Sequence, residues 1–139
     1  MKTAVVYWSG TGNTEAMAEA VANGAKAAGA DVTTFTADSF NADAAAEFDA
    51  VALGCPSMGS EELEESEFRP MFDAVKAALA GKKVGLFGSY GWGDGEWMRN
   101  WQDECKEAGI TLVMDGVICN DAPDGEAVAN CEALGKALA

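Results

Sequence analysis

Ser9-Gly10-Thr11-Gly12-Asn13-Thr14 brings four hydroxyl or amide side chains and two glycines together in six consecutive residues. Glycine lets the backbone approach an anion closely. Successive N–H groups converge on that anion, and a helix starting here adds partial positive charge. The chemistry indicated is capture of a phosphomonoester by neutral donors, because no Lys or Arg lies in the segment. A Walker A loop needs G-K-[ST], and a dinucleotide fingerprint needs a third glycine where Glu15 stands. Taken alone, the segment also fits a polar strand-to-helix turn with ordinary capping.

Two further segments have unusual chemistry. Cys55-Pro56-Ser57-Met58-Gly59-Ser60-Glu61-Glu62 carries a thioether beside a glycine. Met58 suits contact with a flat ring, and Gly59 visits both signs of φ cheaply, so the peptide after it is free to reverse its orientation. By itself this is equally a plain turn followed by acidic residues. Ser89-Tyr90-Gly91-Trp92-Gly93-Asp94-Gly95-Glu96-Trp97 holds three glycines and three aromatics in nine residues. Glycines permit close packing while Trp92 offers a large π face for stacking. A phosphate cradle, a Met-Gly turn and a Gly-Trp-Gly loop together describe a site for a phosphorylated planar heterocycle, of which FMN is the simplest.

Other chemistries are excluded by what is missing. The chain has four cysteines, Cys55, Cys105, Cys119 and Cys131, with no C-x-x-C pair, and it has no histidine. Zinc sites of the Cys/His type and His-dependent nucleophile systems therefore lack their ligands and bases, and no metal site is expected. A Cys-x5-Arg phosphatase is ruled out because Glu61 stands where the arginine belongs. The cysteines read as structural thiols, Cys55 ending a buried strand and Cys105 and Cys131 on inward helix faces.

The elements that must position these loops are legible from periodicity. Lys2 to Trp8 is an apolar, β-branched and aromatic run that suits a strand buried on both faces. From Thr14 to Ala28, Met17, Val21, Ala25 and Ala28 mark one helical face, and Gly29 ends it. Asp31 to Thr36 and Phe48 to Gly54 read as strands joined by a brief helical crossover over 41–47. Phe68, Met71, Phe72, Val75 and Leu79 predict a helix capped by Ser66 and stopped by Gly81. Lys83 to Gly88 is a fourth strand, and Asp94 is placed to cap a helix whose Trp97, Trp101, Cys105 and Ala108 share the core side. Residues 110–114 and 117–120 read as one strand interrupted at Asp115-Gly116, before a last helix with Ala127, Cys131, Leu134 and Leu138 inward. Five alternations of strand and helix predict one doubly wound α/β domain over residues 1–139, a five-stranded parallel sheet with helices on both faces. Ligands in such sheets sit beyond the carboxyl ends of the strands, where all three unusual loops fall.

Composition limits the partners. Lys and Arg total 9 against 23 Asp and Glu, a formal net charge of −14, while 49% of residues are apolar. A folded core is affordable, and nucleic acid and anionic membrane surfaces are poor partners for so acidic a chain. Met1-Lys2 leads straight into a strand, with no secretory pattern and no membrane-length apolar run, so a cytoplasmic protein is expected.

YWSGTGNTEAMA, LGCPSMGSEELEES and KKVGLFGSYGWGDGEWM, in this order and at these separations, make the whole chain resemble the short-chain flavodoxins, of the type found in anaerobic bacteria such as clostridia. The resemblance implies strand order 2-1-3-4-5 with FMN between the first and third strands. It assigns the phosphate to the side chains of Ser9, Thr11, Asn13 and Thr14 and the amides from Gly10 through Gly12 to Thr14, with Ser89 adding a contact. It implies that Met58 and Trp92 sandwich the ring. Backbone of Ser57, Gly91 and Gly93 would surround the ring beside Tyr90, and Glu61 would meet its N3 side. The Gly59–Ser60 peptide is expected to turn its carbonyl toward flavin N5 in the semiquinone, although many relatives carry Asp or Asn where Ser60 stands.

The implied function is low-potential one-electron transfer, cycling mainly between semiquinone and hydroquinone, with no substrate of its own. The carboxylates of Glu61, Glu62, Glu64, Glu65 and Glu67 would disfavour the reduced anion and dock basic patches on redox partners, the carrier itself being a monomer. An FMN-dependent NAD(P)H:quinone reductase on the same fold is the competing reading, and Met58 and Trp92 over both ring faces would leave it little room for hydride transfer. A flavin-free signalling receiver would need acidic residues where Ser9 and Cys55 stand.

Overall fold

In a computed structural model, described for residues 2–139, every strand pairing in the sheet is parallel. The chain runs β1 (Lys2–Tyr7), α1 (Asn13–Ala27), β2 (Asp31–Thr36), α2 (Ala42–Ala45), β3 (Ala50–Gly54), α3 (Phe68–Val75), β4 (Lys83–Tyr90), α4 (Glu96–Glu107), β5 (Thr111–Leu112), β6 (Val117–Asn120) and α5 (Gly125–Leu138). The sheet order is β2-β1-β3-β4-β5, with β6 also paired to β4. The fifth sheet position is thus one strand in two pieces, β5 on Lys83 and Val84 and β6 on residues 87–90. This is the interruption that Asp115-Gly116 predicted. No helix among the described residues is long and apolar enough to cross a membrane.

Strand alternation feeds two cores. Ala4, Val6, Val51, Leu53, Val84 and Leu86 face α3 and α4, where Phe68, Phe72, Trp97 and Trp101 are buried. Val5, Ala50, Ala52 and Phe87 face α1 and α5, against Met17, Val21, Leu134 and Leu138. The second layer lies very close: a Cβ on Gly24 of α1 would stand 2.1 Å from the Glu132 carbonyl oxygen of α5, and one on Gly135 would stand 2.1 Å from that of Val21. On the other face the edges of Phe68 and Phe72 meet Trp101, with centroids at 5.4 and 6.0 Å.

Two predicted caps are corrected. Ser66 does not cap α3. The Glu64 carboxylate accepts from the Ser66, Glu67 and Phe68 amides at 2.8, 2.7 and 2.9 Å, and from the Ser66 hydroxyl. Its longer side chain reaches all three open N–H groups, which a serine hydroxyl does not. Asp94 does not cap α4 either, because Gly95, at φ 93°, turns the chain into the helix while Asp94 pairs with Arg99 at 3.0 Å. The α3 periodicity runs on to Leu79, but its last turn, Lys76–Leu79, is a 3₁₀ helix.

Candidate functional site

Because β1 and β3 are neighbours whose crossovers leave in opposite directions, a crevice opens beyond their carboxyl ends. It is a cavity of about 350 Å3 lined by Trp8, Gly10, Thr11, Asn13, Pro56, Ser57, Met58, Ser89, Tyr90, Gly91 and Asp121. Backbone hydrogen bonds knit its floor: Trp8 N to Gly54 O at 3.0 Å, Ser57 N to Ser89 O at 3.0 Å, and Asp121 N to Tyr90 O at 2.8 Å.

The cradle is built for an anion. Helix α1 starts at Gly12, φ 94°, with no side-chain cap, whereas Asn41 and Asp124 cap α2 and α5. Of the first-turn amides of α1, that of Glu15 is taken by Ser9, while those of Asn13 and Thr14 have no side-chain acceptor and stand at the positive end of the helix dipole. Ser9 Oγ accepts from the Gly12 and Glu15 amides at 3.1 and 3.3 Å, which shapes the loop and leaves its hydroxyl proton to donate. Thr14, buried, accepts from the Ser89 amide at 3.4 Å and likewise keeps its proton. Ser89 differs, since its hydroxyl donates to the Asp121 carbonyl at 2.6 Å and has only lone pairs to offer, which suits it poorly to a phosphate.

The other wall of the cavity is formed by a tight hairpin. Met58 and Glu62 exchange both backbone hydrogen bonds at 2.9 Å, with Gly59 at φ 53° and Glu61 at φ 57° in the turn between them. Met58 lines the cavity and is 36% exposed, and Trp92, on the Gly91–Gly93 loop, is 61% exposed. Large apolar side chains left in solvent beside a cavity are what a stacking ligand would cover. Glu61 Oε1 accepts from the Glu96 amide at 3.2 Å, so the carboxylate sits at the N-terminus of α4 and ties the hairpin to the Trp92 loop. That loop is anchored from below by buried Trp97, whose Nε1 donates to the Cys55 carbonyl at 3.1 Å.

Of the residues singled out from sequence, Gly10, Thr11, Asn13, Ser57, Met58, Ser89, Tyr90 and Gly91 share the cavity wall. Ser9 and Gly12 line an adjoining polar cleft, and Gly59 borders the outer side of the hairpin. Glu61 reaches a different cleft against α4, while Thr14, Ser60, Trp92 and Gly93 line none of these hollows. Trp8, Pro56 and Asp121 were missed. Trp8 read as the end of a strand, yet strand carboxyl ends are where the crevice lies, and its Nε1 donates to Glu67 at 3.0 Å. Asp121 follows β6 at φ 57°, a conformation that Asp tolerates better than most residues.

The acidic run is divided by burial. Glu62, Glu65 and Glu67 are exposed, but Glu64 is only 6% exposed. Burial works against its charge, and the four hydrogen bonds from Ser66, Phe68 and Glu67 outweigh that cost and bring its pKa down to about 2. Glu64 is an internal cap and not a docking charge, which corrects its place in the predicted acidic face. Burial also pushes the Cys55, Cys105 and Cys131 thiols up to about 12 and raises that of Cys119.

The sequence profile of the flavodoxin family matches residues 5–134. The chain belongs to the flavodoxin family. It is 50% identical to the flavodoxin of Megasphaera elsdenii over 97% of this chain and 96% of that one. Against the flavodoxin of Clostridium beijerinckii the identity is 47%, over 97% of each chain. The solution structure of two-electron reduced Megasphaera elsdenii flavodoxin superposes with a TM-score of 0.90 at 49% identity, covering 98% of this chain and 97% of that one. Flavodoxins are electron carriers and FMN is their cofactor. The residues around the crevice fit it: a helix N-terminus with open Asn13 and Thr14 amides and hydroxyl donors for a phosphate, and for the ring the Met58 thioether at the wall with the Trp92 indole exposed on the neighbouring loop.

Proposed function

We propose that this chain is a low-potential, one-electron shuttle without a substrate of its own, cycling mainly between the semiquinone and hydroquinone of FMN. The observation that carries the reading is the Met58–Glu62 hairpin at the cavity mouth, with Gly59 at φ 53° in its turn. A glycine there leaves the Gly59–Ser60 peptide free to present its carbonyl to a protonated flavin nitrogen in one redox state and withdraw it in another. If that hydrogen bond contributes about 1.5 kcal/mol, it moves a one-electron couple by roughly 60 mV.

The hydroquinone end of the cycle is favoured less by the surrounding charge. One exposed carboxylate about 10 Å away costs ~0.4 kcal/mol, roughly 20 mV, at water-like dielectric. Exposed Glu62, Glu65 and Glu67 act in the same sense as the phosphate dianion. The same charges would steer basic patches of larger cytoplasmic redox proteins toward the exposed Met58 and Trp92, with the carrier acting as a monomer.

An anaerobic dithionite titration followed by absorbance, repeated with NADPH as sole reductant, tests the reading. A yellow protein that passes through a blue neutral semiquinone and ignores NADPH supports a carrier. Direct two-electron bleaching by NADPH would establish a reductase instead, and failure to take up FMN would remove the crevice from the account.

A further inference from the structure

Residue 64 closes the loop that carries Met58 and Gly59. Its amide donates to Cys55 Sγ at 3.4 Å, and Cys55 is itself held at the end of β3 by a hydrogen bond to the Phe87 carbonyl at 3.1 Å. Its carbonyl accepts from the Arg69 amide at 2.8 Å. Its carboxylate takes the Ser66 and Glu67 amides just before α3, the Phe68 amide at its first residue, and the Ser66 hydroxyl. One buried residue thus joins β3, the foot of the hairpin and the start of α3. The other foot is held by Ser57 N on the Ser89 carbonyl at 3.0 Å, and only Gly59, Ser60 and Glu61 lie between the paired residues Met58 and Glu62.

From this geometry we infer that Glu64 is a positioning residue for the redox turn: it immobilises the hairpin's carboxyl-terminal foot so that the Gly59–Ser60 peptide reorients alone. The inference rests on the electron-carrier reading and extends it to a side chain that does not line the cofactor cavity. A hydrogen bond from a turning peptide stabilises one redox state only to the extent that the rest of the loop is already ordered. A loose foot makes each such bond carry the entropy of ordering the hairpin. Four donors on two anionic oxygens hold the foot far better than an amide does. Glutamine offers a single acceptor oxygen and turns an NH2 group toward N–H donors.

The test compares Glu64→Gln with Val75→Ala, a buried truncation in the same helix that costs stability without touching the carboxylate. In the apo-proteins, amide hydrogen exchange at residues 57–62 should accelerate in E64Q and not in V75A. In the FMN-loaded proteins, the semiquinone formation constant should fall by about tenfold in E64Q, the size expected when the turning peptide's hydrogen bond no longer yields the upper end of an ordinary net contribution. That is about 59 mV of separation between the one-electron steps. V75A should match the parent. Unchanged exchange in E64Q overturns the inference, and so does faster exchange with unchanged redox separation, which would leave Glu64 a helix cap only. Should E64Q not fold, Ser66→Ala removes one of the four donors, and the same two readouts should shift in the same direction by less. A parent that binds no FMN defeats the carrier reading, and the exchange comparison still decides whether the carboxylate holds the loop.

Discussion

Gly59 stands at φ 53° with open space where a Cβ would be, so Gly59→Ala meets no neighbour and suffers only the left-handed strain, about 1 kcal/mol. The expected outcome is FMN affinity within a few-fold of the parent and a lower semiquinone yield at half reduction. Equal yields in a dithionite titration would remove the turn from the redox step. Trp92→Ala should raise the FMN dissociation constant by up to roughly tenfold, from aromatic stacking worth about 0.5–1.5 kcal/mol. Because Trp92 is 61% exposed, the thermal stability of the apo-protein should stay put while fluorescence titration reports the lost affinity. At this scale the three loops were legible because glycines, a thioether and a solvent-facing tryptophan are odd company for plain turns. The caps were not. Ser66 and Glu64 compete for the same amides, and Asp94 competes between Arg99 and its own helix. Side-chain reach settles such contests, and spacing is silent about it.

The closeness of α1 and α5 is an element-level constraint with backbone on both sides. Gly24→Ala and Gly135→Ala each drive a methyl to 2.1 Å from a carbonyl oxygen of the opposing helix, where no side chain is able to move away. Each should lower Tm by roughly 3–10 °C, the effect of about 1–3 kcal/mol of overpacking in a domain of this size. Gly125→Ala at the start of α5 meets nothing within 4 Å and serves as the control, neutral or slightly stabilising. Calorimetry separates the two kinds of glycine. The strands and helices were legible because burial imposes the periods on which apolar residues recur. The brief 3₁₀ turn Ala37–Ser39 was invisible, since hydrogen bonds among Thr36, Asp38 and Ser39 make it, with no periodic face. The parting of β5 from β6 was visible because Asp-Gly breaks strands wherever it falls.

A net charge of −14 acts on the whole molecule in two opposite senses. Salt should raise Tm by screening the fold's self-repulsion and should slow electron transfer to a basic partner by screening their attraction. Thermal melts and stopped-flow rates between low and high sodium chloride check both signs. Glu64 sets a limit in acid. Its folded pKa of about 2 lies below the ordinary glutamate range, so its stabilisation is complete above that range and is lost as pH falls toward 2. The proton linkage is on the order of 3 kcal/mol, and the gap in urea stability between parent and E64Q should narrow by about 2 kcal/mol between pH 7 and pH 3. The four free cysteines bear on electron counting. With thiol pKa values pushed up to about 12 at Cys55, Cys105 and Cys131, and raised at Cys119, thiolate is scarce at neutral pH, so oxidants find little nucleophilic sulfur to attack. Coulometry of the loaded protein should therefore close at the flavin's own two electrons per chain, with no slow sulfur background and no cross-linked dimer after exposure to air.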